Sequence, residues 1–90
     1  MRKNVQIKVY GKVQGVFFRK NTEIKANELY LGGWVKNEPD GSVLIEAEGD
    51  EEQVNELVEW CHEGPPFSNV TQVDLNESDL KDYRDFTIIR

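Results

Sequence analysis

Apolar residues in this chain recur at two different spacings, and the order of these spacings restricts the folds that the chain can adopt. Val5, Ile7 and Val9 alternate with polar residues, which predicts a half-buried strand. Helical spacing follows at residues 21–31 and returns at residues 50–63. Four further segments are predicted as strands: 34–37, 42–48, 70–75 and 86–89. The predicted order of elements is therefore β-α-β-β-α-β-β.

Capping signals mark the ends of the two predicted helices. Gly32 and Gly33 follow the first helix and suit a left-handed cap at its carboxyl end. Asp50 is predicted to cap the start of the second helix, with the Gln53 side chain bonding back to the cap residue. The run Gly64-Pro65-Pro66 is predicted to end that helix, because proline cannot continue it.

These elements predict an α+β fold. A type I turn at 38–41 is expected to join two strands into a hairpin, since Pro39 and Gly41 occupy suitable turn positions. Two amphipathic helices are most simply buried on one face of a four- to five-stranded, mostly antiparallel sheet. This arrangement is the ferredoxin-like two-layer sandwich. The length of 90 residues predicts a single domain over 1–90. Because this scaffold carries many functions, function has to be argued from a site.

Charge is distributed unevenly along the chain. The net charge is −6, from 11 basic and 17 acidic residues. Residues 1–20 contain basic residues and no acid, whereas residues 44–63 contain acids and no Lys or Arg. An acidic chain is a poor general binder of nucleic acid, where phosphate neutralisation dominates affinity. We therefore expect no nucleic-acid partner, although the basic segment could form one local anion site.

Composition also bears on compartment and cofactors. Cys61 is the only cysteine, which fits a reducing cytoplasm, and we expect it to be an inert core residue. No apolar run approaches the length of a membrane span and no signal-like apolar block opens the sequence. His62 is expected at a helix end, and no cluster has metal-ligand spacing. We expect a cytoplasmic monomer with no metal, no cofactor and no membrane contact.

The segment from Gly11 to Arg19 joins the first strand to the first helix. Amide N–H groups at a helix start have no partners within the helix, and a glycine-containing loop before it can form an anion-binding nest. Gly15 permits close approach of the backbone to a ligand. Arg19 adds a planar cation that matches two phosphate oxygens. On composition alone, an ordinary turn with a surface arginine is the favoured interpretation.

Two longer motifs give this segment a more specific meaning. Residues 11–19 match the pattern Gly-x-Val-Gln-Gly-Val-x-Phe-Arg at every fixed position, and Phe17 fills the variable position before Phe18. A second pattern runs from Gly33 through Asn37 to Gly49. Both patterns resemble the signatures of the acylphosphatase family, and the resemblance covers nearly the whole chain. Phe17 is bulkier than the glycine often found at its position.

The resemblance implies an activity and a set of site residues. The activity is hydrolysis of the carboxyl-phosphate bond of an acyl phosphate to a carboxylate and inorganic phosphate, with these small molecules as the only partners and without a cofactor. Arg19 would bind phosphate oxygens and Asn37 would orient the attacking water. The implied phosphate-binding loop consists of Gln14, Gly15, Val16, Phe17, Phe18 and Arg19.

The chemistry agrees with such a site. A carboxylate leaving group, with a conjugate acid of pKa about 4, needs no general acid. Phosphoryl transfer asks the protein mainly for positioning and charge stabilisation. Asn37 is not basic enough to take a proton, which has to pass elsewhere, for instance to a phosphate oxygen. The alternatives are a non-enzymatic anion-binding module, a nucleic-acid-binding sheet, and a detached domain of a larger maturation enzyme.

Overall fold

The structure, a computed structural model, describes residues 1–90 and confirms the predicted order of elements. The bounds are β1 Arg2–Lys12, α1 Phe18–Glu28, β2 Gly32–Asn37, β3 Val43–Asp50, α2 Glu51–Glu63, β4 Asn69–Ser78 and β5 Phe86–Ile89. The five strands form one sheet in the order β4-β1-β3-β2-β5. All neighbouring strands are antiparallel except β2 and β5, which are parallel. The ferredoxin-like α+β prediction is therefore confirmed.

The apolar core lies between the two helices and one face of the sheet. Alternate residues of β1 and β3 face the helices and are fully buried, because the side chains of a strand point to opposite faces in turn. The two helices contribute their inner faces to the same layer. These buried residues are Val5, Ile7, Val9, Val43, Ile45 and Ala47 from the strands, and Phe18, Ala26, Val54, Leu57 and Cys61 from the helices. Both helices are too short and too polar to span a lipid bilayer.

The predicted bounds of the first helix are wrong at both ends. The helix begins at Phe18 rather than at residue 21, and it ends at Glu28 rather than at residue 31. The left-handed residue after the helix is Tyr30, with a φ of 59°, and not a glycine. The Leu31 N–H then donates to the Ala26 carbonyl at 2.9 Å. This closes the helix before Gly32, so the glycine pair is free to begin β2.

The predicted cap of the second helix is also wrong. Asp50 precedes α2, but its side chain makes no capping hydrogen bond. The Glu51 N–H donates instead to the backbone carbonyl of Met1 at 2.9 Å. The pairing of Arg2 with Asp50 across β1 and β3 brings this carbonyl to the helix start. Met1 and Glu51 are far apart in the sequence, so no local pattern could predict this hydrogen bond.

On the face of the sheet away from the helices, the segment 79–85 crosses from β4 to β5 and lies over part of β3. Beneath it, Glu46 and Glu48 of β3 are 2% and 1% exposed. Glu48 accepts hydrogen bonds from the backbone N–H of Lys81 at 2.6 Å and of Tyr83 at 3.0 Å. Asn4 donates to both carboxylates, at 3.1 and 3.0 Å. The two glutamates therefore hold the crossing segment, and with it β5, against the sheet.

Glu48→Gln should destabilise the fold by about 1–3 kcal/mol, because an amide nitrogen then faces a backbone N–H that has lost its acceptor. Burial disfavours the ionised carboxylate, but hydrogen bonds from Lys81, Asn4 and Tyr83 outweigh it and lower the pKa of Glu48. Its contribution is therefore fully present above the unfolded pKa of about 4.3 and is lost as the pH falls through the folded value.

Urea unfolding of the wild type and of Glu48→Gln, at neutral pH and at pH 3, measures this effect. The difference in the free energy of unfolding should shrink as the solution is acidified. Glu59→Gln, on the exposed face of α2, is the control and should leave stability unchanged at both values. Equal stability of Glu48→Gln and wild type at neutral pH would show that the buried carboxylate does not hold the segment 79–85.

Candidate active site

The loop between β1 and α1 turns sharply because two of its residues have left-handed backbone conformations. Gly15 has a φ of 74° and Phe17 a φ of 63°. Space around Gly15 is open, so its backbone conformation rather than crowding favours glycine there. α1 starts directly after Phe17, and no backbone acceptor in the chain pairs with the N–H groups of residues 15–19. The loop thus presents a run of free donors at the positive end of a helix, which suits a small anion.

Arg19 lies in the first turn of α1 and is half-buried. The salt bridges of the structure involve the basic residues Arg2, Lys8, Lys20, Lys25, Lys36 and Lys81, but not Arg19. Its guanidinium therefore has no carboxylate partner within the chain. A planar cation without an internal partner, beside free backbone donors, is well suited to bind a tetrahedral oxyanion.

Asn37 is the last residue of β2 and pairs with Val43 of β3. Its side chain makes no hydrogen bond within the protein, and its Oδ1 atom is buried without a partner. An unsatisfied buried polar atom costs free energy, so its presence in a small, well-packed domain calls for an explanation. It leaves the amide of Asn37 free to interact with a molecule in the adjoining cavity.

One cavity of about 310 Å³ brings these groups together. Of the residues predicted for the site, Gly15, Phe17, Phe18, Arg19 and Asn37 line it. The remaining lining residues are Val13, Lys20, Ile88 and Arg90. None of the lining residues is acidic and three are basic, although the whole chain is acidic, and this lining favours an anionic ligand.

Gln14 and Val16 do not line the cavity. Val16 is 5% exposed and belongs to the core. The side-chain amide of Gln14 donates to the carbonyls of Glu38 and Ser42, both at 2.9 Å. Because these carbonyls belong to the turn between β2 and β3, Gln14 ties the loop to the hairpin that carries Asn37. It thereby sets the distance between the two halves of the site.

Comparison with known proteins identifies the family. The family model "Acylphosphatase" matches residues 5–88. The chain belongs to the acylphosphatase family. An acylphosphatase of Acaryochloris marina is 49% identical over 82 residues, which are 91% of this chain and 88% of that protein. The family assignment confirms the predicted enzyme class, a hydrolase that acts on acyl phosphates.

Solved acylphosphatase structures have the same fold. The enzyme from Coxiella burnetii is 43% identical, with a TM-score of 0.95 over 98% of this chain and 93% of that one. The enzyme from Bacillus subtilis is 42% identical, also with a TM-score of 0.95, over the full length of both chains. The architecture that holds the cavity is therefore shared with experimentally determined members of the acylphosphatase family.

Four lining residues were not in the predicted set, namely Val13, Lys20, Ile88 and Arg90. Lys20 adjoins Arg19, and the basic character of residues 1–20 was its only signal. Ile88 and Arg90 reach the cavity because β5 runs parallel to β2, where Ile88 pairs with Val35. Such a pairing joins distant segments and leaves no motif in the sequence.

The turn beside Asn37 is held by its own polar contacts. The hydroxyl and the backbone N–H of Ser42, helped by Lys8 at 3.2 Å, lower the pKa of the Asp40 carboxyl to about 2. Asp40 is therefore ionised throughout the neutral range, and its interactions are directed to the turn and to β1. It is a structural carboxylate outside the cavity of this acylphosphatase.

Cys61, His62 and the two tryptophans do not line the cavity. Cys61 is fully buried in the core, and burial raises the pKa of its thiol, which keeps the sulfur unreactive. His62 is exposed in the last turn of α2. Trp60 packs against Phe18 with ring centroids 5.5 Å apart. Trp34 donates a hydrogen bond to the hydroxyl of Tyr83 at 3.1 Å.

Proposed function

We propose that the cavity between the 14–19 segment and Asn37 is where acyl phosphates are hydrolysed. In this proposal the backbone amides of the segment and Arg19 bind the phosphoryl group, and Asn37 orients the water. One observation carries the proposal: residues with unpaired backbone N–H groups, an arginine without a carboxylate partner and an asparagine without an internal hydrogen bond all line a single cavity. Each of these groups lacks a partner in the protein that would explain its position.

The phosphoryl group is the part of the substrate that the 14–19 segment can recognise. Its oxygens carry the charge in the ground state and in the transition state, and fixed N–H donors stabilise that charge without reorganising. The guanidinium of Arg19 can engage two of these oxygens at once. Positioning and charge stabilisation are the main demands of phosphoryl transfer, and both are supplied here by groups on a rigid helix start.

Asn37 acts on the water rather than on the phosphoryl group. It can hold a water molecule by hydrogen bonding, but it cannot accept a proton at neutral pH. The water oxygen forms a bond to phosphorus while the bond from phosphorus to the acyl oxygen breaks, and the carboxylate leaves with the electron pair. The proton of the water passes to a phosphoryl oxygen, so that no further base is required.

The proposal includes six properties of the working enzyme. It acts as a single domain and a monomer in the cytoplasm, without a metal ion or a cofactor, and it does not bind nucleic acid. The chemical support is that a carboxylate leaves readily without a general acid or a Lewis acid. The guanidinium of Arg19, the amide of Asn37 and the backbone N–H groups of the loop supply the positioning and the charge stabilisation.

Hydrolysis of benzoyl phosphate in the presence of EDTA tests the proposal. We expect full activity with the chelator, because no step requires a metal. Phenyl phosphate is the matched control substrate, since its phenolate leaving group resembles tyrosine with a pKa of about 10 and should be released far more slowly. Loss of activity in EDTA that a divalent cation restores would contradict the mechanism, as would equal rates on the two substrates.

A further inference from the structure

Phe17 combines a backbone conformation and an exposure that packing does not explain. Its φ of 63° and ψ of 26° lie in the left-handed region, which bulky residues avoid because of steric strain. Its side chain is 74% exposed and belongs to no buried cluster. Glycine or asparagine would adopt the same backbone conformation more easily. A large aromatic ring is thus held at an energetic cost where it adds nothing to the core.

The left-handed backbone and the exposure of Phe17 indicate a role only in combination with the position of its ring. Tyr30 is also left-handed, with a φ of 59°, and is 92% exposed. Phe67 is 74% exposed as well. Neither of these residues lines the cavity, whereas Phe17 does, together with the apolar side chain of Ile88. An exposed aromatic ring on the wall of the cavity is available to a ligand bound there.

The part of the substrate that meets this ring follows from the proposed function, and the role inferred for Phe17 rests on that function. When the amides of residues 15–19 and Arg19 hold the phosphoryl group, the acyl group has to extend away from them. Phe17 both lines the cavity and is largely exposed, so its ring is on the solvent side of the cavity, where an acyl group held in this way would extend. A flat apolar surface at this place favours an acyl group that can stack on it.

We propose that the ring of Phe17 is a specificity-determining contact that favours acyl phosphates with an aromatic or extended apolar acyl group over those with a small one. Aromatic contacts of this kind change affinity by roughly 2- to 10-fold. The basic lining residues could instead favour an anionic acyl group. Lys20, however, is paired with Glu23 at 3.1 Å, so Arg90 is the only lining cation besides Arg19 that has no carboxylate partner.

The test compares kcat/KM for benzoyl phosphate and acetyl phosphate in wild type and three variants. Phe17→Asn accepts the left-handed backbone but lacks the ring, and Phe17→Tyr keeps the ring. Tyr30→Asn is the matched control, because it makes the same change at a left-handed residue outside the cavity. We expect the benzoyl-to-acetyl ratio to fall about 3- to 10-fold in Phe17→Asn only. Phe17→Tyr and Tyr30→Asn should keep the wild-type ratio.

Because both substrates carry the same phosphoryl group, damage to the 14–19 segment lowers both rates and leaves their ratio unchanged. An unchanged ratio in Phe17→Asn therefore overturns the role of the ring while the proposed site stands. A wild-type preference for succinyl phosphate over benzoyl phosphate also overturns it, in favour of an anionic acyl group. Failure of the wild type to hydrolyse any of these substrates overturns the proposed function itself.

Discussion

Arg19→Ala should abolish turnover of acyl phosphates and weaken the binding of inorganic phosphate. Two cations of α1 line the cavity, and only the guanidinium of Arg19 has no carboxylate partner. The backbone amides alone cannot neutralise a dianion. In other phosphoryl-transfer enzymes a transition-state arginine contributes on the order of 10³–10⁵ in rate, and we expect a loss of at least ~10³ in kcat here. Steady-state kinetics with benzoyl phosphate, and inhibition by inorganic phosphate, measure the two effects.

Two further variants separate the role of the guanidinium from that of charge. Arg19→Lys keeps the positive charge but loses the planar fork, so it should recover part of the phosphate affinity and little of the turnover. Arg84→Ala removes an exposed arginine from the segment 79–85, outside the cavity, and should behave as wild type. Retained phosphate affinity in Arg19→Ala would mean that the anion binds elsewhere.

Asn37→Ala should lower kcat by at least ~10², as the loss of one positioned polar group does in other enzymes, while phosphate affinity changes little. The side chain makes no hydrogen bond within the protein, so its removal breaks no internal hydrogen bond. Because the buried Oδ1 atom is unsatisfied, the variant should be at least as stable as wild type. Kinetics, phosphate inhibition and thermal unfolding of the same preparation give all three values.

The combination of lower activity and undiminished stability distinguishes a functional role from a structural one. Asn55→Ala, at an exposed position of α2, is the control and should change neither activity nor phosphate affinity. If Asn37→Ala instead lost phosphate affinity and kept its kcat, Asn37 would be a binding residue. If it lost stability, the side chain would serve the turn between β2 and β3.

The order of elements followed from the sequence because apolar spacing reports which faces are buried. The ends of the helices could not be predicted from this spacing, and each has its own structural cause. α1 begins at Phe18 because the left-handed backbone of Phe17 ends the loop there, although the apolar pattern is clear only later. α2 receives its cap from the carbonyl of Met1, which only the pairing of β1 with β3 brings close.

The alternation of side chains along β3 places Glu46 and Glu48 on the face away from the helices. It gave no sign that both carboxylates are buried, because the segment 79–85 that covers them has no regular pattern. This burial matters for the site, since the same segment leads into β5. It thereby places Ile88 and Arg90 beside Asn37.

The site itself was predictable only in part. Arg19, Asn37 and the turn with the unpaired amides could be predicted, because each lies within a short motif whose residues also determine the local backbone geometry. Gln14 was predicted as part of the binding loop, but its role in tying that loop to the turn between β2 and β3 could not be predicted. Its amide bonds to carbonyls of a distant turn. The places of Ile88 and Arg90 at the cavity could not be predicted either, because they depend on the parallel pairing of β2 with β5.

Titration of the ¹⁵N-labelled protein with inorganic phosphate, followed by amide proton–nitrogen spectra, tests the central claim most directly. The account predicts that the backbone amides of residues 15–19 and the side-chain amide of Asn37 shift together and saturate with one dissociation constant. Saturating shifts confined to other basic residues, such as Lys3 and Lys8 on β1, with the amides of 15–19 unmoved, would contradict it.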